Sequence, residues 1–238
     1  MSKEVLNVPP KDLPIEPTTL SELSSGMEHR LKSIEDEFTR GFTFIKKYKK
    51  SVSFFGSARF DENNIHYKQA RHLAGRIVKE LGNAIVTGGG PGIMEAGNRG
   101  ALEAGGESYG IAIKLAKVQA VNPYVKESAE FSHFFVRKVM LSFAAESYIF
   151  FPGGFGTLDE FFELATLIQT HKIRPVPLIL YGVDYWQPLQ QFIEEQMCDM
   201  HKSIDRLDMS IYTITDDEDE IIRIIKDAPM RKTRHGHQ

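Results

Sequence analysis

The sequence predicts an α/β protein, a doubly wound parallel sheet preceded by one extra helix, and three observations carry that prediction. Short apolar runs recur along the chain, such as Val52-Ser-Phe-Phe55, Ala84-Ile-Val86 and Tyr148-Ile-Phe-Phe151. They are nearly continuous rather than alternating, the pattern of strands covered on both faces. Amphipathic stretches at helical spacing separate them, the rhythm of crossover connections between parallel strands. Glycines gather directly after several of the runs, where strand gives way to helix.

Residues 1–25 hold Pro9, Pro10, Pro14 and Pro17 among few large apolar groups, the composition of a mobile tail. Met27, Leu31, Ile34, Phe38, Phe42 and Ile45 then recur every three or four residues, which predicts the extra helix over 27–48. Its end falls at Lys46-Lys47-Tyr48-Lys49-Lys50, where cations suit the negative helix end. A strand over Ser51–Gly56 leads to a helix over His66–Leu81, with Leu73, Ile77 and Leu81 on one side. A strand over Asn83–Thr87 leads to a helix over Gly92–Ala104, and a strand over Tyr109–Ile113 to an irregular stretch through Lys126. A short strand over Phe131–Val136 precedes a helix over Arg137–Ala145, and a strand over Tyr148–Phe151 precedes one over Thr157–Lys172. Strand Val176–Tyr181, helix Asp184–Cys198, strand Ile211–Ile214 and helix Asp216–Lys226 complete the series. Residues 26–228 therefore read as a single Rossmann-like domain, followed by a loose basic tail over 229–238.

The 238 residues suffice for one sizeable core and are short for two domains. A net charge of −3 provides no global basic field for nucleic acid or an anionic membrane. The first residues, MSKEVLNVPPKDLP, lack the apolar stretch of a secretory signal, and no apolar run approaches the ~20 residues that span a bilayer. The single Cys198 excludes an internal disulfide and any CxxC motif, and the eight His form no metal-ligand pattern. The expectation is a soluble, cytoplasmic protein that binds no nucleic acid, membrane, metal or cofactor.

In a doubly wound sheet ligands bind beyond the carboxyl ends of strands, at the point where strand order reverses. That directs attention to the glycine loops. Gly88-Gly-Gly-Pro-Gly92 has four glycines in five residues between a strand and a helix. It meets neither the G-x-G-x-x-G register nor the Walker A pattern, since Asn98-Arg99 follows Gly97. Gly90 and Gly92 are expected to supply the positive φ angles of a tight turn, and the surplus of glycines favours ligand contact. The second loop, Phe151-Pro-Gly-Gly-Phe-Gly-Thr-Leu-Asp-Glu160, allows two readings. Gly153, Gly154 and Gly156 let backbone N–H groups approach an anion at a helix N-terminus. Thr157-x-x-Glu160 equally fits a capping box. Arg137-Lys138, a basic pair at a predicted helix start, runs against the helix dipole and reads as either a solvated pair or a functional mark.

Four separated segments together resemble the Lonely Guy (LOG) family of cytokinin riboside 5′-monophosphate phosphoribohydrolases, long labelled possible lysine decarboxylases. They are Phe55-Gly-Ser57, Gly88-Gly-Gly-Pro-Gly-Ile-Met94, Arg137-Lys-Val-Met140 and Pro152-Gly-Gly-Phe-Gly-Thr-Leu-Asp-Glu160. The P-G-G-x-G-T-x-x-E pattern is met without a gap, and R-K-x-x-M with its Met one place early. The N-terminal helix and Asn122-Pro-Tyr124 resemble the longer bacterial subgroup.

The resemblance implies hydrolysis of the N-glycosidic bond of a nucleoside 5′-monophosphate, of the AMP or cytokinin riboside monophosphate type, to free base and ribose 5-phosphate. It implies Arg137 and Glu160 as the catalytic pair, and Gly153, Gly154, Gly156 and Thr157 as holders of the 5′-phosphate. Further candidate substrate contacts are Thr166, Lys138, Ser57, Gly89, Gly90, Gly92 and Met94, with Gln119 in the loop after the third strand. It also implies a homo-oligomer, a dimer or larger, with its sites near the subunit interface.

Two rival readings stand beside this one. A carrier of the same fold would bind a nucleotide or cofactor without catalysis, since fold alone does not settle function. A pyridoxal-dependent decarboxylase would need a Schiff-base lysine, and Lys172 in Gln169-Thr-His-Lys172 reads better as a helix end.

Overall fold

The computed structural model describes residues 26–48, 50–114 and 121–229. The expected tails over 1–25 and 230–238, and the loop segment Leu115–Gln119, lie outside the described residues. In chain order the elements are α1 (Met27–Ile45), β1 (Ser51–Phe55), α2 (Ile65–Leu81), β2 (Ala84–Thr87) and α3 (Ile93–Glu103). Then come β3 (Ser108–Ile113), β4 (Glu127–Phe131), α4 (Phe134–Ser142), β5 (Ser147–Phe150) and α5 (Phe155–Gln169). β6 (Leu178–Leu180), α6 (Val183–Phe192), β7 (Tyr212–Ile214) and α7 (Glu218–Asp227) complete the fold.

The chain divides into two compact units between Asp36 and Glu37. The described part of the first is the start of α1, where exposed Lys32 pairs with Glu35 and Asp36. The second unit contains the sheet. Its seven strands are all parallel, in the order β4-β3-β2-β1-β5-β6-β7, with helices on both faces. This is the Rossmann-like architecture that the alternation of runs predicts. The chain builds outward from β1 to β4, then returns to lay β5 on the other side of β1. Val52 faces Ser147 and Phe55 faces Phe150 across that junction. The loops leaving β1 and β5 therefore diverge and open a crevice between them.

Each face of the sheet has its own aromatic stack. Phe54 and Phe151 stack with ring centroids 5.8 Å apart, and Tyr181 follows at 4.6 Å from Phe151. Leu73, Ala74 and Ile77 of α2 and Ile93, Ala96 and Ala101 of α3 join that cluster. On the other face Phe55 stacks on Phe150 at 5.0 Å, and Phe161 of α5 meets Phe150 edge-on at 5.6 Å. Burying one such ring stabilises the fold by about 2–3 kcal/mol, so these stacks fix the base on which the strand-end loops sit.

Helix starts differ in a way that matters for the site. Asn64 caps α2 by accepting from His66 N–H, and Asp217 caps α7 by accepting from Asp219 and Glu220. Asp216 takes the N–H groups of Gly182 and Val183 at the start of α6. By contrast, α3 and α5 begin from Gly92 and Gly154 with no side-chain cap.

Several boundaries depart from the sequence expectation. No strand covers Phe131–Val136: β4 is Glu127–Phe131, and α4 has already begun at Phe134. Arg137 and Lys138 are thus the fourth and fifth helical residues, at the end of the first turn and past it, where the dipole penalty has largely faded. Nor does Thr157-x-x-Glu160 form a capping box. Helix α5 starts at Phe155, and Thr157 is its third residue, with its N–H donated to Gly154 O at 3.0 Å. The predicted cap is displaced because the N-cap position falls at Gly154, three residues before Thr157. In the other loop positive φ falls at Gly89 (75°) and Gly92 (71°), not at Gly90. The helix after β6 passes at Ile193 into a π-helical stretch ending at Met200, rather than remaining α-helical to Cys198.

Gly92 is the most demanding of these positions. Its φ lies in the left-handed half of the map, and an added Cβ would run into the carbonyl oxygen of Ser57 and the backbone of Ala58. Gly92→Ala is expected to destabilise the protein by about 2–3 kcal/mol, read as a lower midpoint in denaturant unfolding.

Candidate active site

Three glycine-bearing loops meet at the carboxyl ends of β1, β2 and β5. Ser57 N–H donates to Pro152 O at 3.0 Å, tying the β1 loop to the β5 loop. Ile93 N–H donates to Ser57 O at 3.0 Å, tying the β1 loop to the start of α3. Above these ties opens a cleft of about 960 Å³, lined among others by Ser57, Gly88, Met94, Arg137, Thr157 and Glu160.

The floor at the α5 end is backbone. Gly153 carries no Cβ because one would strike the Thr157 hydroxyl, which is buried there. Tyr185 fixes the same turn by donating its hydroxyl to Gly153 O at 2.6 Å. At Gly154 and Gly156 a Cβ would meet nothing, so both positions face open space. The N–H groups of Phe155 and Gly156, at the start of this 15-residue helix, have no acceptor among the described residues. Unpaired donors with the partial positive charge of a helix end suit an anion.

Arg137 and Glu160 reach the cleft from adjacent helices. Gly88 makes room for Arg137, since a Cβ there would run into its Nη2 and lie 2.8 Å from Met94 Sδ. Arg137 Nε donates to Ile111 O at 3.0 Å, and the guanidinium lies 5.9 Å from the Phe134 ring centroid. Burial lowers its pKa from the ordinary value while Glu160 opposes the shift, and a guanidinium so far above neutrality stays charged. Glu160 is only 6% exposed, and its carboxylate makes no hydrogen bond or ion pair within the described residues. Burial raises its pKa to about 7 against the pull of Arg137, with Glu163 adding to the rise and Lys138 opposing it. A carboxyl group that changes charge near neutrality, beside a fixed cation in a cleft, has the properties of a general base or acid.

The remaining sequence candidates separate into groups. Gly89, Gly90 and Met94 line a side pocket of about 70 Å³ that continues past Arg137 to Ala112 and Ile113. Gly92 positions Ser57 through the close approach described above. Lys138 does not line the cleft. Its ammonium pairs with Asp159 at 2.7 Å and Glu163 at 3.5 Å, tying α4 to α5; burial depresses its pKa, but these carboxylates raise it overall. Thr166 is exposed on α5 outside the cleft lining, and Gln119 lies outside the described residues. Lys138→Met is expected to leave Asp159 and Glu163 uncompensated and push Glu160 above about 7. An NMR titration of the Glu160 carboxyl measures that as an alkaline shift of its midpoint.

Other groups were not legible as site residues. Phe134 and Phe155 line the cleft with rings half and almost wholly exposed, as does Tyr185. Exposed aromatics on a cleft wall suit stacking against a planar ligand, yet in sequence they read as ordinary apolar positions. A buried polar network also holds the Gly88–Gly90 loop. Asn122 donates from N–H to Gly89 O at 2.8 Å and from Nδ2 to Gly90 O at 3.0 Å, and both its amide and the Thr87 hydroxyl reach Asn98 Oδ1. Its available signals were Asn98, a polar residue on the inner face of a helix, and Asn122, noted in the sequence only as part of Asn122-Pro-Tyr124. Elsewhere, a groove of about 360 Å³ runs between α2 and α3, but its Arg71 and Arg76 are already engaged by carboxylates. Among the described residues no cluster of His, Cys, Asp and Glu could hold a metal, and no helix is long and apolar enough to cross a membrane.

Solved structures share this architecture at low identity. The molybdenum cofactor carrier protein of Chlamydomonas reinhardtii is 21% identical, with a TM-score of 0.56 over 75% of this chain and 96% of that one. The molybdenum cofactor binding protein of Rippkaea orientalis is 21% identical, with a TM-score of 0.54 over the same shares. DNA processing protein A of Streptococcus pneumoniae is 13% identical, with a TM-score of 0.51 over 75% of this chain and 62% of that one. Likeness at this level establishes the fold alone. A search of curated proteins gave no match. The model of the family described as possible lysine decarboxylase matches residues 94–225. That span exceeds half the chain, opens at Met94 on the cleft wall and contains both Arg137 and Glu160, and the chain therefore belongs to that family.

Proposed function

We propose that the chain hydrolyses the N-glycosidic bond of a nucleoside 5′-monophosphate, releasing free base and ribose 5-phosphate, as the LOG resemblance implies. The observation that carries this reading is Glu160, a buried carboxyl with its pKa near 7, sharing one cleft with Arg137 and the uncapped start of α5. The 5′-phosphate would rest on the N–H groups of Phe155 and Gly156, beside the Thr157 hydroxyl. The ribose would then lie towards Glu160 and the base towards the aromatic wall. As the C1′–N bond lengthens, positive charge builds on C1′ and the ring oxygen. Ionised Glu160 stabilises that charge and takes a proton from water. The water oxygen bonds to C1′, the bonding pair departs on the base nitrogen, and the proton passes through solvent to the base. Arg137 cannot serve as the base; it binds ribose hydroxyls or phosphate and holds Glu160 ionised.

The family's description suggests amino-acid decarboxylation, which calls for a lysine to hold pyridoxal phosphate. No lysine lines the cleft among the described residues, and this site does not fit that cofactor.

A panel of nucleoside 5′-monophosphates, with free base followed by chromatography, tests the proposal. At least one member should release base, and the matching unphosphorylated nucleoside should have kcat/KM lower by about 10²-fold, because phosphate binding energy is used to position C1′. Tight nucleotide binding with no base release from any member would favour the carrier reading.

A further inference from the structure

A carboxylate on another helix lies at the start of the helix that carries Arg137. Glu37 of α1 is 2% exposed, an uncommon position for a carboxylate unless its oxygens are satisfied. Its Oε1 accepts from Ser132 N–H at 2.9 Å and its Oε2 from His133 N–H at 3.1 Å. His133 is the N-cap residue of α4, makes no side-chain cap bond of its own, and is followed by no acidic residue in the first turn. Glu37 therefore supplies from outside what α4 lacks: a negative charge and two acceptors at its positive end. Burial works against the carboxylate form, but these hydrogen bonds and His133 outweigh it and hold the pKa below the ordinary value.

Two further contacts connect this cap to the cleft. Arg137 N–H donates to His133 O at 3.2 Å, so the capped residue and Arg137 close the same first turn of α4. Gly41, one turn beyond Glu37, lets α1 press against α4, since a Cβ there would strike the Met140 side chain. Among the described residues the Arg137 side chain makes one hydrogen bond, from Nε to Ile111 O, so its reach depends on where that turn places its Cα.

We propose that Glu37 is a positioning residue for Arg137: a buried carboxylate from the N-terminal helix that caps α4 and sets the placement of the cleft's guanidinium. The inference rests on the proposed reaction for its kinetic readout and not for its structural one.

The test uses the full chain carrying Glu37→Gln, Glu37→Asp and Arg137→Lys, and the double variant Glu37→Gln/Arg137→Lys. Glu37→Gln keeps the shape and one acceptor oxygen but loses the charge. It should lower kcat for base release by about tenfold or more with KM little changed, and Glu37→Asp should recover part of the loss. In the Arg137→Lys background Glu37→Gln should cost far less, because coupled residues are not additive. Equal loss in both backgrounds, or wild-type kinetics for Glu37→Gln, would overturn the proposal. Amide hydrogen exchange needs no substrate and separates this inference from the proposed reaction. Exchange should accelerate about tenfold or more from Ser132 to Lys138 in Glu37→Gln, while β1 and β5 amides keep their protection. Uniform acceleration across the protein, or none, would overturn the inference even if wild type releases no base. Local acceleration would sustain it in that case.

Discussion

Replacing Glu160 by Gln is expected to lower kcat for base release by about 10²–10⁴-fold, the range for losing a general base, while the protein stays folded. Glutamine matches the shape but cannot accept a proton from water or oppose charge on C1′. In the wild type kcat/KM should rise with pH through about 7, as burial holds Glu160 protonated below that point. A flat pH profile would remove Glu160 from the role. The same shift links to stability. The folded carboxyl binds its proton more tightly than the unfolded chain does, with a pKa raised from 4.5 to about 7. The stabilisation is fully present below pH about 4.5 and is lost as pH rises through about 7. At about 1.4 kcal/mol per pKa unit the full effect is on the order of 3 kcal/mol. Gln does not titrate, so Glu160→Gln should be more stable than wild type at pH 8, with that advantage disappearing near pH 4. Thermal melts at the two pH values read this directly. Capping does not confound the comparison, because Glu160 takes no part in capping α5.

Arg137→Ala is expected to lower kcat/KM by about 10²–10³-fold, comparable to removing one preorganised charge-stabilising donor. It also takes away the cation that pulls the Glu160 pKa down. The ascending limb of the pH–rate profile should therefore move to higher pH as well as fall in height. That joint change distinguishes loss of Arg137 from loss of phosphate binding, which would raise KM without moving the limb. An unchanged limb would mean that the two groups do not sense one another.

Much of the architecture was legible because it depends on local pattern. Short apolar runs placed every strand but one, and helical periodicity placed the helices to within a few residues. The exception, over Phe131–Val136, failed because β4 ends at Phe131 and α4 begins at Phe134, with the Ser132 and His133 N–H groups between them accepted by Glu37, nearly a hundred residues earlier in the chain. The Thr157–Glu160 cap failed because α5 is already under way at Phe155, so Thr157 is a helical residue and cannot be the N-cap. Lys138 stood beside Arg137 in sequence, but neighbours on a helix point about 100° apart. One reaches the cleft and the other pairs with α5.

By itself the sequence determined the fold class and the two glycine-rich loops, which follow from residue type and spacing. The two ionisable residues on which the proposed chemistry turns came from the resemblance that its motifs bear to a known family. Tertiary structure alone decided that Arg137 and Glu160 share one cleft, that burial brings Glu160 to a pKa near 7, and that Glu37 caps the helix carrying Arg137. The physical reason is that desolvation and coulombic coupling depend on distances across the sheet's strand ends, and those distances exist only once β5 has been laid beside β1.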